Sequence, residues 1–198
     1  KVEYRNASQT LGLFQQMCEG HNLDLQNLLR AQPTHSGNFN LVESICHLLN
    51  LLGDTNDALR RMEDTEIDLL VDTFDVLTEL VQGPCLLNQT TIINCGCIEV
   101  IKLVLPSPFS SHITREKRIK TKAHTMLLVS SLLEGRDDVV VHKHLGTQLE
   151  PSILNNFSDQ LSKHVNDIRN DRSLSHSQQD EESEKAIQGL VTLQTVYK

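Results

Sequence analysis

Tryptophan is absent from this sequence, and only two tyrosines and five phenylalanines occur among its 198 residues. A chain so poor in aromatics and so rich in leucine is expected to pack helix on helix rather than as a sandwich or barrel. Positive charge is also in short supply. Eighteen Lys and Arg stand against 26 Asp and Glu, a formal net charge of -8, which argues against a nucleic-acid partner, because phosphate contact needs clustered cations. No apolar run approaches the roughly eighteen residues of a membrane span, and the N-terminus lacks the pattern of a secretory leader. The chain opens without Met and closes inside a helical pattern at Tyr197-Lys198, so it reads as a fragment of a longer protein.

The motifs of common catalytic sites are missing too. There is no Gly-rich phosphate loop, no His-Glu-x-x-His and no nucleophile elbow, so no enzyme is expected. Five cysteines (Cys18, Cys46, Cys85, Cys95, Cys97) are an odd number scattered through apolar patterns. They are read as reduced, buried thiols of a cytosolic protein, and the Cys95-Gly96-Cys97 spacing matches no closed zinc site. Cys18 and His21 would be a candidate thiolate pair, but Cys18 falls on an apolar stripe and is expected to be inert.

What the chain does have is helical periodicity. The spacing predicts helices starting near Asn6 to Ser8, capped by Asn22, over Leu41 to Leu52, and over Thr65 to Gln82. Further helices are predicted over Thr90 to Leu105, from Arg115 through Leu133, through Leu145, and from Pro151. Ile67, Leu70, Val71, Phe74, Leu77 and Val81 make the clearest apolar stripe. Asp68, Asp72, Asp75, Glu79 and Gln82 share another face, of which Asp68 and Asp72 read as solvated. The basic run Arg115 to Lys122 could touch acidic lipid headgroups or a neighbouring subunit, but reads first as a solvated face, since a neighbouring carboxylate and the overall negative charge dilute it. The expected architecture is all-α, with antiparallel helix pairs forming an α-solenoid (armadillo-like) segment. One helical domain is expected over 1–169, a disordered acidic and polar loop over 170–184, and the start of a further helix over 185–198.

Two short runs stand out against this background. Cys18-Glu19-Gly20-His21-Asn22-Leu23-Asp24-Leu25-Gln26-Asn27 and Leu77-Thr78-Glu79-Leu80-Val81-Gln82-Gly83-Pro84-Cys85 each place a carboxylate at the tail of an apolar helical pattern, followed by Gly. There the carboxylate lies beside carbonyls without intrahelical partners, at the negative end of the helix dipole. Carboxylate and carbonyl oxygens are the ligands of a hard cation. For Glu19 and Glu79 to meet, their helices must run parallel or cross, with the Leu41 to Leu52 helix returning between them.

These runs, with Asn88-Gln89 after the second, resemble the homology-associated domain shared by inositol trisphosphate receptors and ryanodine receptors. The short connection between them is more similar to the inositol trisphosphate receptor branch. The resemblance implies a cytosolic helical domain of a tetrameric, ligand-gated calcium-release channel at the endoplasmic reticulum membrane, contacting other domains and subunits of that channel. It implies that Glu19 and Glu79 are Ca2+ ligands, with His21 and Gln82 behind them fixing the carboxylates. Two glutamates offer at most four oxygens where calcium takes about six to eight. The resemblance implies that the remaining ligands come from a domain beyond the pore, so the isolated chain should bind Ca2+ weakly or not at all. The alternative is a helical scaffold or interaction module with no ion site.

Overall fold

The computed structural model describes residues 2–33 and 37–170. These form ten helices: α1 (Val2–Cys18), α2 (Leu23–Arg30), α3 (Leu41–Gly53), α4 (Asn56–Arg61), α5 (Asp64–Glu79), α6 (Leu86–Asn94), α7 (Cys97–Val104), α8 (Arg115–Leu133), α9 (Val139–Gln148) and α10 (Pro151–Asn170). No strand occurs among the described residues. Polar caps set several of the starts. Side chains of Asn22, Asn40, Thr55, Thr114 and Asp138 each accept a backbone N–H from the first turn that follows, satisfying a donor that has no partner within the helix. A reciprocal capping box between Glu63 and Glu66 opens α5.

α5 is the axis of the molecule. It packs against α1, α3 and α8 and buries Ile67, Leu69, Leu70, Phe74, Val76 and Leu77, so little of it beyond the acidic stripe is left for water. Polar bridges fix the direction of its neighbours. Near the starts of α1 and α5, Tyr4 Oη donates to Glu66 Oε1 at 3.1 Å, while their far ends meet at Glu19, His21 and Glu79. α1 and α5 therefore run parallel, as the meeting of the two glutamates requires. α8 is parallel to α5 as well: Lys117 pairs with Asp68 at 2.8 Å, His124 with Asp75, and Gln82 Nε2 donates to Ser131 Oγ at 3.4 Å. All three pairs share one sequence offset, as two helices side by side in one direction demand. α10 runs the other way along α8, with Arg115 paired to Asp167 and Lys122 to Gln160. α3 packs on α5 and α7, and α7 on α9, giving a second layer behind the parallel one. One hydrophobic core continues from Leu11 to Val165. The fold is an all-α, solenoid-like stack.

The structure departs from the sequence-based expectations in several places. α1 begins at Val2, well before Asn6, because Tyr4 has a partner on α5 that periodicity along one helix does not show. The span Thr90 to Leu105 is two helices, not one: the chain turns at Cys95-Gly96, with Gly96 at φ 79°, and Asn50 Nδ2 donates to the freed Cys95 carbonyl at 2.8 Å. The apolar spacing carries across that turn, which hides it from a periodicity argument. A short helix not expected from the apolar spacing, α4, precedes α5, and α5 ends at Glu79, leaving Gln82 in the turn that follows. Asp68 is exposed, as its solvated reading expects, but it is not alone there, and the basic run is not a plain solvated face. Asp68 pairs with Lys117, and Lys122 is only 3% exposed. The segments 171–184 and 185–198 lie outside the described residues.

Candidate functional site

The two runs singled out by the sequence meet as two turns seated on one another. After α1 the chain reverses through Gly20 and His21, both left-handed (φ 75° and 61°), until Asn22 caps α2. His is among the few side chains that visit this region with some frequency. After α5 the chain reverses through Gly83, at φ 86°. A Cβ on Gly83 would lie 2.4 Å from His21 Cβ and 2.8 Å from His21 Cγ. The glycine is thus required twice, once by its backbone angle and once by the imidazole resting on it.

Buried amides hold the turns together. Gln26 Nε2 donates to the carbonyls of Glu79 at 2.6 Å and Gln82 at 2.9 Å, the groups that the end of α5 leaves without partners. Its Oε1 is buried without a hydrogen-bond partner, the consequence of aiming the nitrogen at both carbonyls. Asn88 Nδ2 donates to Gln26 O and Leu80 O, and its Oδ1 accepts from Arg30 Nε. Gln89 Nε2 donates to Ser131 O and Glu134 O, both at 2.9 Å. Gln26, Asn88 and Gln89 are each fully buried. The three residues lie within or beside the two motifs, and the sequence alone assigns them no role. Gln26 offered a signal, an amide within an apolar helical pattern, where a buried polar group must find a partner; Asn88 and Gln89 precede the helix predicted from Thr90 and offered none.

Of the four residues expected to form the site, three converge. Burial raises the Glu79 carboxyl above its ordinary pKa; the nearby His21 pulls it down, while the charges of Glu19 and Asp75 push it further up. The two glutamates and His21 therefore lie within electrostatic reach of one another. Neither glutamate forms an ion pair with Lys or Arg among the described residues. Gln82 behaves differently from the expectation. Its amide nitrogen is directed at Ser131 on α8 and its carbonyl is taken by Gln26, so it braces the turn. Cys18 is fully buried and its thiol is pushed up to about 11, first by burial and then by the charges of Glu79 and Cys85, as expected of an inert cysteine.

The donor set suits a hard cation only in part. Among the described residues the two carboxylates have His21 nearby but no Lys or Arg in an ion pair to them, which leaves room for a cation. The carbonyls at the end of α5 are already capped by Gln26. Among the described residues no group of three or more His, Cys, Asp or Glu is arranged to hold a metal. Any ion here would need further oxygens from elsewhere.

A family model described as RyR and IP3R Homology associated matches residues 1–105, just over half of the chain. The chain belongs to that family. The matched stretch ends one residue after α7, so it holds both turns and the amides that join them, while α8 to α10 lie beyond it. The inositol 1,4,5-trisphosphate receptor itr-1 of Caenorhabditis elegans is 35% identical over 137 residues, 65% of this chain. The chain spans only 5% of that receptor's length. No helix among the described residues of this homology-associated domain is long and apolar enough to cross a membrane.

Proposed function

We propose that this chain is a cytosolic helical domain of a ligand-gated, tetrameric calcium-release channel of the inositol trisphosphate receptor type. It would lie at the cytosolic face of the endoplasmic reticulum and couple ligand and Ca2+ binding to the pore. In this reading Glu19 and Glu79 supply the carboxylate half of a Ca2+ site, His21 lies beside them, Gln82 braces the turn that carries Glu79, and another domain of the channel supplies the remaining oxygens. The observation that supports the proposal is the seating of His21 on Gly83, with Glu19 and Glu79 within electrostatic reach of one another and neither in an ion pair with Lys or Arg among the described residues. A cation binding more tightly when both halves of the site are joined would favour the joined state by that difference in affinity, which is what coupling to a gate requires.

The test is Glu19→Gln with Glu79→Gln in the whole channel. Half-maximal activation by Ca2+ is expected to shift upward by roughly tenfold or more, the equivalent of about 1.4 kcal/mol, with ligand affinity retained. Unchanged Ca2+ activation removes the proposal. A second reading, a rigid relay with no ion site, draws on the capped carbonyls of Glu79 and Gln82 and on the missing third ligand. Calcium titration of the isolated chain gives little or no heat under both readings, so the whole-channel variant separates them.

A further inference from the structure

A second concentration of charge lies away from the joined turns, in the part of the chain beyond the family match. The 106–108 segment, the first turns of α8 and the middle of α10 enclose a recess of about 500 Å³. Arg115, Arg118 and Lys122, three and four residues apart and so on one face of α8, line it together with Lys163 from α10. Ser107 and Gln160 add polar groups to the same wall. Four cations thus face one cavity in a chain whose net charge is -8.

Their compensation is incomplete. Arg115 is paired with Asp167. Among the described residues Arg118 forms no ion pair, and its Nη1 donates to a neutral acceptor, the Pro108 carbonyl, at 3.2 Å. Lys122 is 3% exposed and its Nζ donates to Gln160 Oε1 at 3.2 Å, with no carboxylate in an ion pair to it among the described residues. Burial, and then the charge of Arg118, lower its pKa to about 8, which still leaves the ammonium mostly charged at neutral pH. A buried ammonium without a counter-ion is destabilising. Cations in the first turn of α8 also oppose the helix dipole. An anion in the recess would relieve both penalties.

We infer that this recess is a binding site for a small polyanion carrying two or more phosphoryl groups. The volume is that of an organic ligand site and exceeds what a single inorganic phosphate would fill. Arg115 and Arg118 offer forked donors suited to phosphoryl oxygens, and the two lysines supply point charges. Lys122 is nearly fully buried, so an anion that pairs with it must enter the recess. A soluble phosphate ester and the protruding headgroup of a phosphorylated lipid share this chemistry. The inference rests on α8, α10 and the 106–108 segment and stands apart from the calcium reading.

The experiment uses the 198-residue chain with inorganic pyrophosphate as probe, read by calorimetry and by melting temperature at neutral pH and low salt. Wild type is expected to bind pyrophosphate, more weakly as salt rises, and to melt higher in its presence. Lys122→Met and, separately, Arg118→Gln are each expected to weaken binding about tenfold or more, the loss typical of one charge-assisted hydrogen bond. Lys120→Gln, exposed on the same run and outside the recess, should leave it unchanged. Lys122→Met carries a second signature: without anion it should melt higher than wild type, because a buried charge has been removed. Sedimentation with phosphatidylcholine vesicles containing phosphatidylinositol bisphosphate, competed by pyrophosphate, would assign the lipid headgroup. Pyrophosphate binding without sedimentation would assign a soluble ester. The inference is overturned if wild type gives no heat and no thermal shift with millimolar pyrophosphate, if sulfate binds equally well, or if both recess variants bind like wild type.

Discussion

At the scale of single residues, Gly83 and Gln26 do more to shape the candidate site than the glutamates do. Gly83 adopts a left-handed backbone and lies directly beneath His21. Gly83→Ala would meet backbone strain and a clash with a Cβ that cannot swing aside. It is expected to destabilise the chain by about 1–3 kcal/mol, measured by urea denaturation, and to perturb the His21 resonances in an NMR spectrum. A loss below about half a kcal/mol would mean that the turns are not seated as described. Glu19 and Glu79 were readable from sequence because an acid at the tail of an apolar pattern, followed by Gly, is a local signal. The bracing of α5 by Gln26 was not readable. It depends on two carbonyls more than fifty residues away, and nothing in the spacing of Gln26 points to them.

At the scale of elements, most helices followed from apolar spacing and capping residues, and the merging of α6 with α7 has a clear cause. Periodicity reports which face is apolar; it does not report a turn that leaves the apolar spacing in phase. Hence α6 and α7 read as one helix, until Gly96 and the Asn50 hydrogen bond to Cys95 O show the break. The charged faces of α5 and α8 were misread for a related reason: each looks solvated alone, and only their parallel packing sets Lys117 against Asp68 and Asp64. Burial works against the charge on Lys117, but hydrogen bonds to Asp68 and Asp64 outweigh it and raise its pKa above the ordinary 10.5. A base so raised lends stability that is complete below the unfolded value and is lost as pH climbs through the folded one. Lys117→Met is therefore expected to cost up to about 1 kcal/mol near neutral pH. The gap from wild type should close as pH rises above 10.5, as followed by denaturant titration at several pH values. A gap that is flat with pH would mean that Lys117 acts through its packing alone.

At the scale of the whole molecule, one core runs unbroken from α1 to α10, so the family-matched part and the helices beyond it share their apolar interior. Unfolding should accordingly be a single event. Fluorescent labels introduced on the exposed surface of α1 and of α10 should report coincident urea midpoints. Separate midpoints would divide the chain into independently melting parts. The shared direction of α1, α5 and α8 has a further effect. Each closes on an acid, at Glu19, Glu79 and Glu134, and Glu134 accepts the Gly83 N–H. One rim of the molecule thus gathers three negative helix poles and three carboxylates, while the amide-rich poles lie at the opposite rim. A positively charged neighbour would feel the field of that rim before any contact is made, an attraction that weakens as salt rises.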